Sequence, residues 1–416
     1  MTHAKGLSAN MIPRRISVSS IPFFLLLCAI ATTPLNTPIL AVFRLNDIFL
    51  LAAFFSSVAL QKLSKSLTIT LLAIVLVITA SILVNIASLG SLEIERLVFL
   101  YKYCVPLITA ITFIATVRTD VRVKLTEKAL LFGFMILLAW AYYYKAAIES
   151  GSILGVARLS FPGSSDFLVS DAHLYSNYLS LGLIFYIVHL KKTLHHHTII
   201  STVIILSTIG ALILTGSRNG IIMLGIATLV WVFLAIASTK TKVRAPSLLK
   251  GVLGSFLLVA IAFSLPPSVL EFLSNGMERA LNFDFYNDAS SLSRVAKFWV
   301  AVSDWKSTSL MFGASIFGAS LAWYDSGLGI ILVHTGLIGT FLVVGGLLFF
   351  IFKIIKILGT PSNSARVTLT ILVVYIASNA ITEFALVTRS ALPITLFIIL
   401  PTISEMLRIQ KNEVHT

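Results

Sequence analysis

Apolar runs recur along this chain from residue 21 to residue 407, and no polar region between them is large enough to fold alone. A helix needs about 20 apolar residues to cross the hydrocarbon core of a bilayer. Backbone N–H and C=O groups cannot be left unpaired in lipid, so each sufficiently long run has to satisfy its own hydrogen bonds as a helix. Twelve spans result, at residues 21–41, 46–60, 67–88, 97–117, 128–147, 173–190, 198–215, 219–237, 249–266, 327–352, 367–387 and 391–407. The sequence predicts an all-α, polytopic integral membrane protein. One transmembrane domain covers 21–407, between a tail at 1–20 and another at 408–416. Composition agrees: 57% of the residues are hydrophobic and 12% charged, against roughly 25% charged in a soluble domain.

The formal net charge is +14, but the basic residues sit in short clusters between apolar runs and not on a stripe interleaved with aromatics, which argues against nucleic acid. Their placement is topological. With the N-terminus inside, the inner segments hold twenty of the 31 Lys and Arg, among them Arg14, Arg15, Lys62, Arg118, Arg122, Lys191, Lys240, Lys353 and Arg408, against four of the 17 acids. That asymmetry places both termini on the cytoplasmic side. It leaves two substantial outer loops, at 148–172 and 267–326. Arg14 and Arg15, followed by an apolar run and Ala29–Ala31, also fit a cleaved signal peptide, except that the run continues past Ala31 through Leu40. Cys28 and Cys104 both lie in apolar runs, so no disulfide framework is implied.

Three constellations on the outer side can carry chemistry. Thr215-Gly216-Ser217-Arg218-Asn219-Gly220 forms a tight turn between two spans. Arg218 breaks the charge rule there and offers a five-donor fork suited to phosphate oxygens; the alternative is an arginine reaching lipid headgroups. Tyr324-Asp325-Ser326-Gly327 stands at the start of the tenth span, with Gly336 and Gly339 inside it. Partial burial at an interface suits Asp325 to general-base work, although an Asp at that place is also an ordinary helix cap. Asp171, His173, Tyr175, Asn177 and Tyr178 cluster where the sixth span begins. They suit sugar hydroxyls, and a cap with interfacial tyrosines explains them equally well.

Within the larger outer loop, Leu292, Val295, Ala296, Trp299 and Val300 share one helical face while Arg294, Lys297 and Asp304 point away from it. This is the pattern of an interfacial helix, whose cations meet either lipid phosphates or a bound substrate. Arg389, before the last span, and Glu383 are further charges at or in the membrane. His195, His196 and His197 follow Lys191 and Lys192 in an inner loop and lack a partner cluster. There is no P-loop, no C-x-x-C pair, no H-E-x-x-H and no Asp-x-Asp pair, so neither ATP coupling nor a metal or other cofactor is expected.

Taken together, these motifs resemble the O-antigen ligase and polymerase superfamily of bacterial inner-membrane enzymes. About twelve helices, a T-G-S-R-x-G turn, a large late outer loop, and Ser291, Ser293, Arg294 and Trp299 within that loop carry the likeness. Ligases of the family carry a His followed by Asn, Ser or Gln, nine residues, Gly, two residues, and Gly, Thr or Tyr. This chain has Asp325, Ser326, Gly336 and Gly339 at that spacing. Asp in place of His is similar to the polymerase branch. The resemblance implies a GT-C-like glycosyltransferase architecture with its active site in the periplasm. It implies a reaction joining undecaprenyl-diphosphate-linked repeat units, with a chain-length regulator and a flippase as partners. Arg218 and Arg294 would then stabilise the diphosphate leaving group and Asp325 would take the acceptor proton. Arg389, Lys297, Asp171, His173, Tyr175, Asn177 and Tyr324 would line the substrate. The alternatives are a ligase moving glycan onto lipid A core and, in another class, a flippase or transporter of lipid-linked oligosaccharide. A transporter tends to show two similar halves, and this sequence shows no such symmetry.

Overall fold

The computed structural model describes residues 18–34, 38–40, 43–61, 94–149, 170–191, 198–215, 217–237, 289–314, 326–358, 368–376 and 391–414, with scattered positions between. These residues are almost entirely helical. A short turn at Val18–Ser20 leads into α1 (Ile21–Ala31). There follow α2 (Leu45–Leu60), α3 (Ile94–Thr116), α4 (Asp120–Glu149), α5 (Ser170–Phe185), α6 (Thr198–Leu214) and α7 (Arg218–Ala237). The later helices are α8 (Ala289–Ser307), α9 (Gly327–Leu358) and α10 (Ala391–Val414), with a further helical stretch at 368–376. The expected spans at 67–88 and 249–266, and the second half of 367–387, lie mostly or wholly outside the described residues.

One expectation is corrected. The run at 21–41 is not one helix. It ends at Ala31, where the hydroxyls of Thr32 and Thr33 bond back to the carbonyls of Cys28 (2.7 Å) and Ala29 (3.1 Å). Pro34 and Pro38 come next, and proline cannot continue a helical ladder. The chain instead forms a small antiparallel hairpin, Pro38–Leu40 with Phe43–Arg44, and turns into α2. At about 1.5 Å per residue, α1 is roughly half as long as a bilayer core is thick, and it packs beside α2 as a helical hairpin. Asp47 secures the corner: its carboxylate accepts the Arg44 N–H at 3.1 Å and the Tyr101 hydroxyl of α3 at 3.0 Å.

The centre of the bundle is α5, which packs against α4, α6, α7 and α10 and is buried almost throughout from Ala172 to Tyr186. Aromatic rings fill its surroundings. Phe161 stands edge-on to Tyr175 at 5.0 Å, and Phe397 of α10 stacks on Phe185 at 4.8 Å. Below Phe185 the helix opens into one π turn, Tyr186–Leu190. That turn carries His189, whose Nε2 lies 2.8 Å from Oε1 of Glu127 on α4, both side chains being buried.

Polarity is distributed unlike that of a soluble bundle. Small hydroxylic residues (Thr116, Ser176, Ser180, Ser201 and Thr208) are buried, where they let helices approach closely and bond across or back to the backbone. Large apolar side chains face outward, among them Ile199 at 78% exposure, Leu229 at 72% and Phe341 at 72%. Among the described residues two helical segments, Asp120–Tyr144 and Gly327–Gly346, are long and apolar enough to cross a membrane. The helix ends gather in a consistent way. Arg122 at the start of α4 donates to the Thr116 carbonyl at 2.5 Å and to Ser20 Oγ at 3.4 Å, and it lies over the Phe23 ring. Gln61, after α2, donates to the Ser19 carbonyl at 3.3 Å. The start of α1 and the ends of α2 and α3 therefore share one end of the bundle.

The His189–Glu127 pair yields a stability prediction. Removing one member strands the other in the core, so His189→Phe is expected to destabilise the protein by about 3 kcal/mol. The double variant Glu127→Leu with His189→Phe should recover most of that. Reversible unfolding in mixed detergent measures both; equal loss in single and double variants would show that the pair contributes packing alone.

Candidate functional site

The turn between α6 and α7 builds itself from its own threonine and serine. Thr215 Oγ1 donates back to the Leu212 carbonyl at 2.6 Å, ending α6, and accepts the Ser217 N–H at 3.1 Å. Helix α7 then begins at Arg218, so the first-turn amides of Arg218, Asn219 and Gly220 have no intrahelical acceptor and the positive end of the helix dipole lies there.

This turn sits on a polar ladder of α5. Residues 173, 176, 177 and 180 recur at helical spacing, and each meets the turn. His173 Nδ1 is 2.9 Å from Ser217 Oγ, and Ser176 Oγ donates to the same Ser217 oxygen at 2.9 Å. Asn219 Nδ2 donates to Asn177 Oδ1 at 2.6 Å, and Ser180 Oγ donates to the Gly220 carbonyl at 2.8 Å. Gly220 makes the approach possible, since a Cβ there would lie 2.9 Å from both Leu212 Cδ2 and Ser176 Cβ. Asn177 is 1% exposed, and its Nδ2 donates to no acceptor among the described residues. Two constellations that stand some forty residues apart in sequence are thus one polar cluster. His173 and Asn219 are its half-buried members.

Other expected residues fall elsewhere. Tyr175, expected at the sugar site, has no exposed surface; its hydroxyl donates to the Leu137 carbonyl and its ring packs on Phe161. Its work in this structure is to hold α5 to α4. Tyr178 is likewise buried, against Phe134 and Phe397. Asp171 is the second residue of α5, adjoining the cluster in sequence. Tyr324, Asp325, Arg389 and Glu383 lie outside the described residues, as do His195, His196 and His197.

A second group forms between α8 and α9. Residues 289–307 are helical, as the amphipathic pattern at 291–304 predicts. Leu292, Val295, Ala296, Trp299 and Val300 are exposed along one face, while Lys297, Phe298, Ala301, Asp304 and Trp305 are covered or partly covered. The covered face meets α9: Ala301 packs with Ile330 and Val333, and lies against Gly329. Position 294 falls on this same stripe by helical register. The two helices run parallel from this contact toward the turn after α8, where Ala314 N–H meets the Val333 carbonyl. One turn back along each helix from Ala301 and Gly329 come Lys297 on α8 and Ser326 at the start of α9.

Ser326 caps α9: its Oγ accepts the Gly329 N–H at 3.2 Å and its carbonyl accepts the Ile330 N–H at 2.9 Å. The capping role open to Asp325 is therefore already filled by its neighbour, and Asp325 immediately precedes the cap. Helix α10 packs against both α5 and α9 and so links the two groups. Among the described residues no cluster of three or more His, Cys, Asp and Glu could hold a metal ion.

Sequence reasoning missed three features. The Ser176 and Ser180 ladder was legible as small polar residues four apart in an apolar run. His334, buried in α9, was legible as a lone imidazole in a span. The turn after α8 had no sequence signal beyond Gly313. Comparison with protein-family models and with curated proteins finds no match.

The close seat of the turn can be tested directly. Gly220→Val should destabilise the protein by about 1–3 kcal/mol through overpacking against Leu212 and Ser176, and Ser180→Ala by about 1 kcal/mol through its lost hydrogen bond. Unfolding midpoints in detergent check both, and an unchanged midpoint for Gly220→Val would contradict the packing described.

Proposed function

We propose that this chain is a polymerase that joins polyprenyl-diphosphate-linked oligosaccharide repeat units at the outer face of a bacterial inner membrane. The observation that carries this reading is the seat of the Arg218 turn. The positive end of α7, with Arg218 as its first residue, is pinned to the polar ladder of α5, beside the buried Asn177 donor. A helix start with an arginine and hydrogen-bond donors around it favours phosphate oxygens.

In this reading the outward apolar faces meet lipid, the twelve spans form a GT-C-like bundle, and both termini are cytoplasmic. The acceptor sugar hydroxyl of one repeat unit attacks the anomeric carbon of the growing chain. A carbon–oxygen bond forms there as the bond to the diphosphate breaks. The hydroxyl proton passes to the Asp325 carboxylate, and undecaprenyl diphosphate departs with the electron pair. Arg218 and Arg294 stabilise the charge that develops on it. Lys297, one turn before Ala301 on the face of α8 that meets α9, supplies a further cation, while His173, Asp171, Tyr324 and Arg389 orient the sugars. No nucleotide is required, because the diphosphate bond already holds the energy. A flippase supplies the substrate and a chain-length regulator acts on the product.

Two other readings are less well supported. A ligase transferring glycan to lipid A core would carry His at position 325. A flippase or transporter uses the free backbone groups of broken helices as ion or substrate sites. Helix α9 is broken, but the Val333 carbonyl and the Leu337 and Ile338 N–H groups at its break are bonded to the turn after α8.

In cells, Arg218→Ala and Asp325→Ala should leave the protein in the membrane and reduce surface glycan to single repeats. Purified Asp325→Asn should extend lipid-linked repeats at least about 100-fold more slowly than the parent protein. Long glycan chains in either alanine strain would defeat the assigned roles. Complete loss of displayed repeats in a strain lacking the gene would favour the ligase.

A further inference from the structure

At Gly336 the backbone of α9 takes φ 61° and ψ −164°, a conformation that side chains oppose. In a continuous helix the Leu337 N–H would donate to the Val333 carbonyl and the Ile338 N–H to that of His334. Here the Val333 carbonyl accepts the Ala314 N–H at 2.8 Å, while Leu337 and Ile338 donate to the carbonyls of Leu310 and Met311, each at 3.0 Å. The turn after α8 is inserted into the ladder of α9 as a wedge.

Two glycines allow it. A Cβ on Gly336 would overlap the Met311 carbonyl oxygen, and one on Gly313, whose φ is 69°, would overlap that of Val333. The wedge is also fastened to α8, because the Trp305 indole N–H donates to the Leu310 carbonyl at 3.0 Å. That one carbonyl oxygen joins α8, the turn and the second half of α9. The first half, residues 327–335, therefore has no helical continuity with residues 337–358. Its orientation is set by the wedge and by the packing of Ala301 on Gly329, Ile330 and Val333. Its capped start directly follows Asp325, and α8 carries Arg294 and Lys297.

We infer that the wedge is a positioning element that locks α8 and the first half of α9 into one rigid unit and fixes that unit against the second half, 337–358. Resting on the polymerase reading, the lock holds Ser326 and the start of α9, which directly follow the proposed base Asp325 in sequence, in a fixed relation to α8 during transfer. Gly313, Gly336 and Trp305 are positioning residues and touch no substrate. Misplacing a base by an ångström costs rate more than binding.

The test uses the full-length protein in detergent or nanodiscs. Trp305→Phe keeps the ring and deletes the N–H; Gly313→Ala crowds the wedge. Each is expected to lower kcat with polyprenyl-diphosphate-linked repeat units by about 10- to 100-fold, with KM changed less than about twofold. Independently, spin labels at Leu292→Cys and Leu342→Cys, with Cys28 and Cys104 changed to Ser, report the distance between α8 and the second half of α9. The parent should give a narrow distribution that added repeat units leave unchanged, and both wedge variants a broadened one. A broad distribution in the parent, an unbroadened one in the variants, or full kcat in a variant whose distribution has broadened would overturn the inference. A parent with a narrow distribution that extends no repeat units would sink the polymerase reading while leaving the lock standing.

Discussion

Every backbone hydrogen-bonding group along these helices has to find its partner inside the protein, because the helices turn isoleucine, leucine and phenylalanine outward and keep threonine and serine within. An unpaired N–H or C=O in such surroundings costs several kcal/mol. The constraint governs each place where the helical ladder stops. Thr32 and Thr33 bond back to end α1, Thr215 ends α6, Ser326 starts α9, and the wedge repairs the break at Gly336. The functional proposals rest on those places because irregular backbone is where charged side chains can be aimed without a cylinder of apolar neighbours.

The two polar groups illustrate different solutions. On α5, a ladder at helical spacing accepts the whole start of α7, so that the first turn of that helix is oriented by four side-chain contacts. Between α8 and α9 the contact is small and apolar, Ala301 on Gly329, and polar chemistry is confined to the ends. The amphipathic helix turns its apolar stripe outward and its Lys297 stripe toward α9. This distribution suits a helix lying at a membrane surface with its apolar stripe turned toward lipid.

Helix existence was legible in the sequence because apolar runs and charge alternation are local properties. The bounds of α6 and α7 at 198–214 and 218–237 lie within a residue of expectation, since glycine, serine and threonine at 215–217 mark the stop. Where the reading failed, at 21–41, hydropathy was weighted over Pro34 and Pro38, and the prolines decided. The functional reading likewise rests on local motifs: Arg218 in its turn, Arg294 in its amphipathic helix, and Asp325 before Ser326 at the spacing of Gly336 and Gly339.

Apolar length and charge placement by themselves determined that this is a helical chain with cations gathered between its spans, because each helix reports its own burial through its own residues. Only the tertiary structure decided which of those residues meet. It showed that Ser217 and Asn219 rest on His173, Ser176 and Asn177, and that Tyr175 belongs to the packing between α4 and α5. It also showed why Gly336 stands where it does. The motif spacing marks the glycine, but its reason is a carbonyl from another segment, and such a contact is fixed by the fold of the whole chain and is invisible to any local pattern.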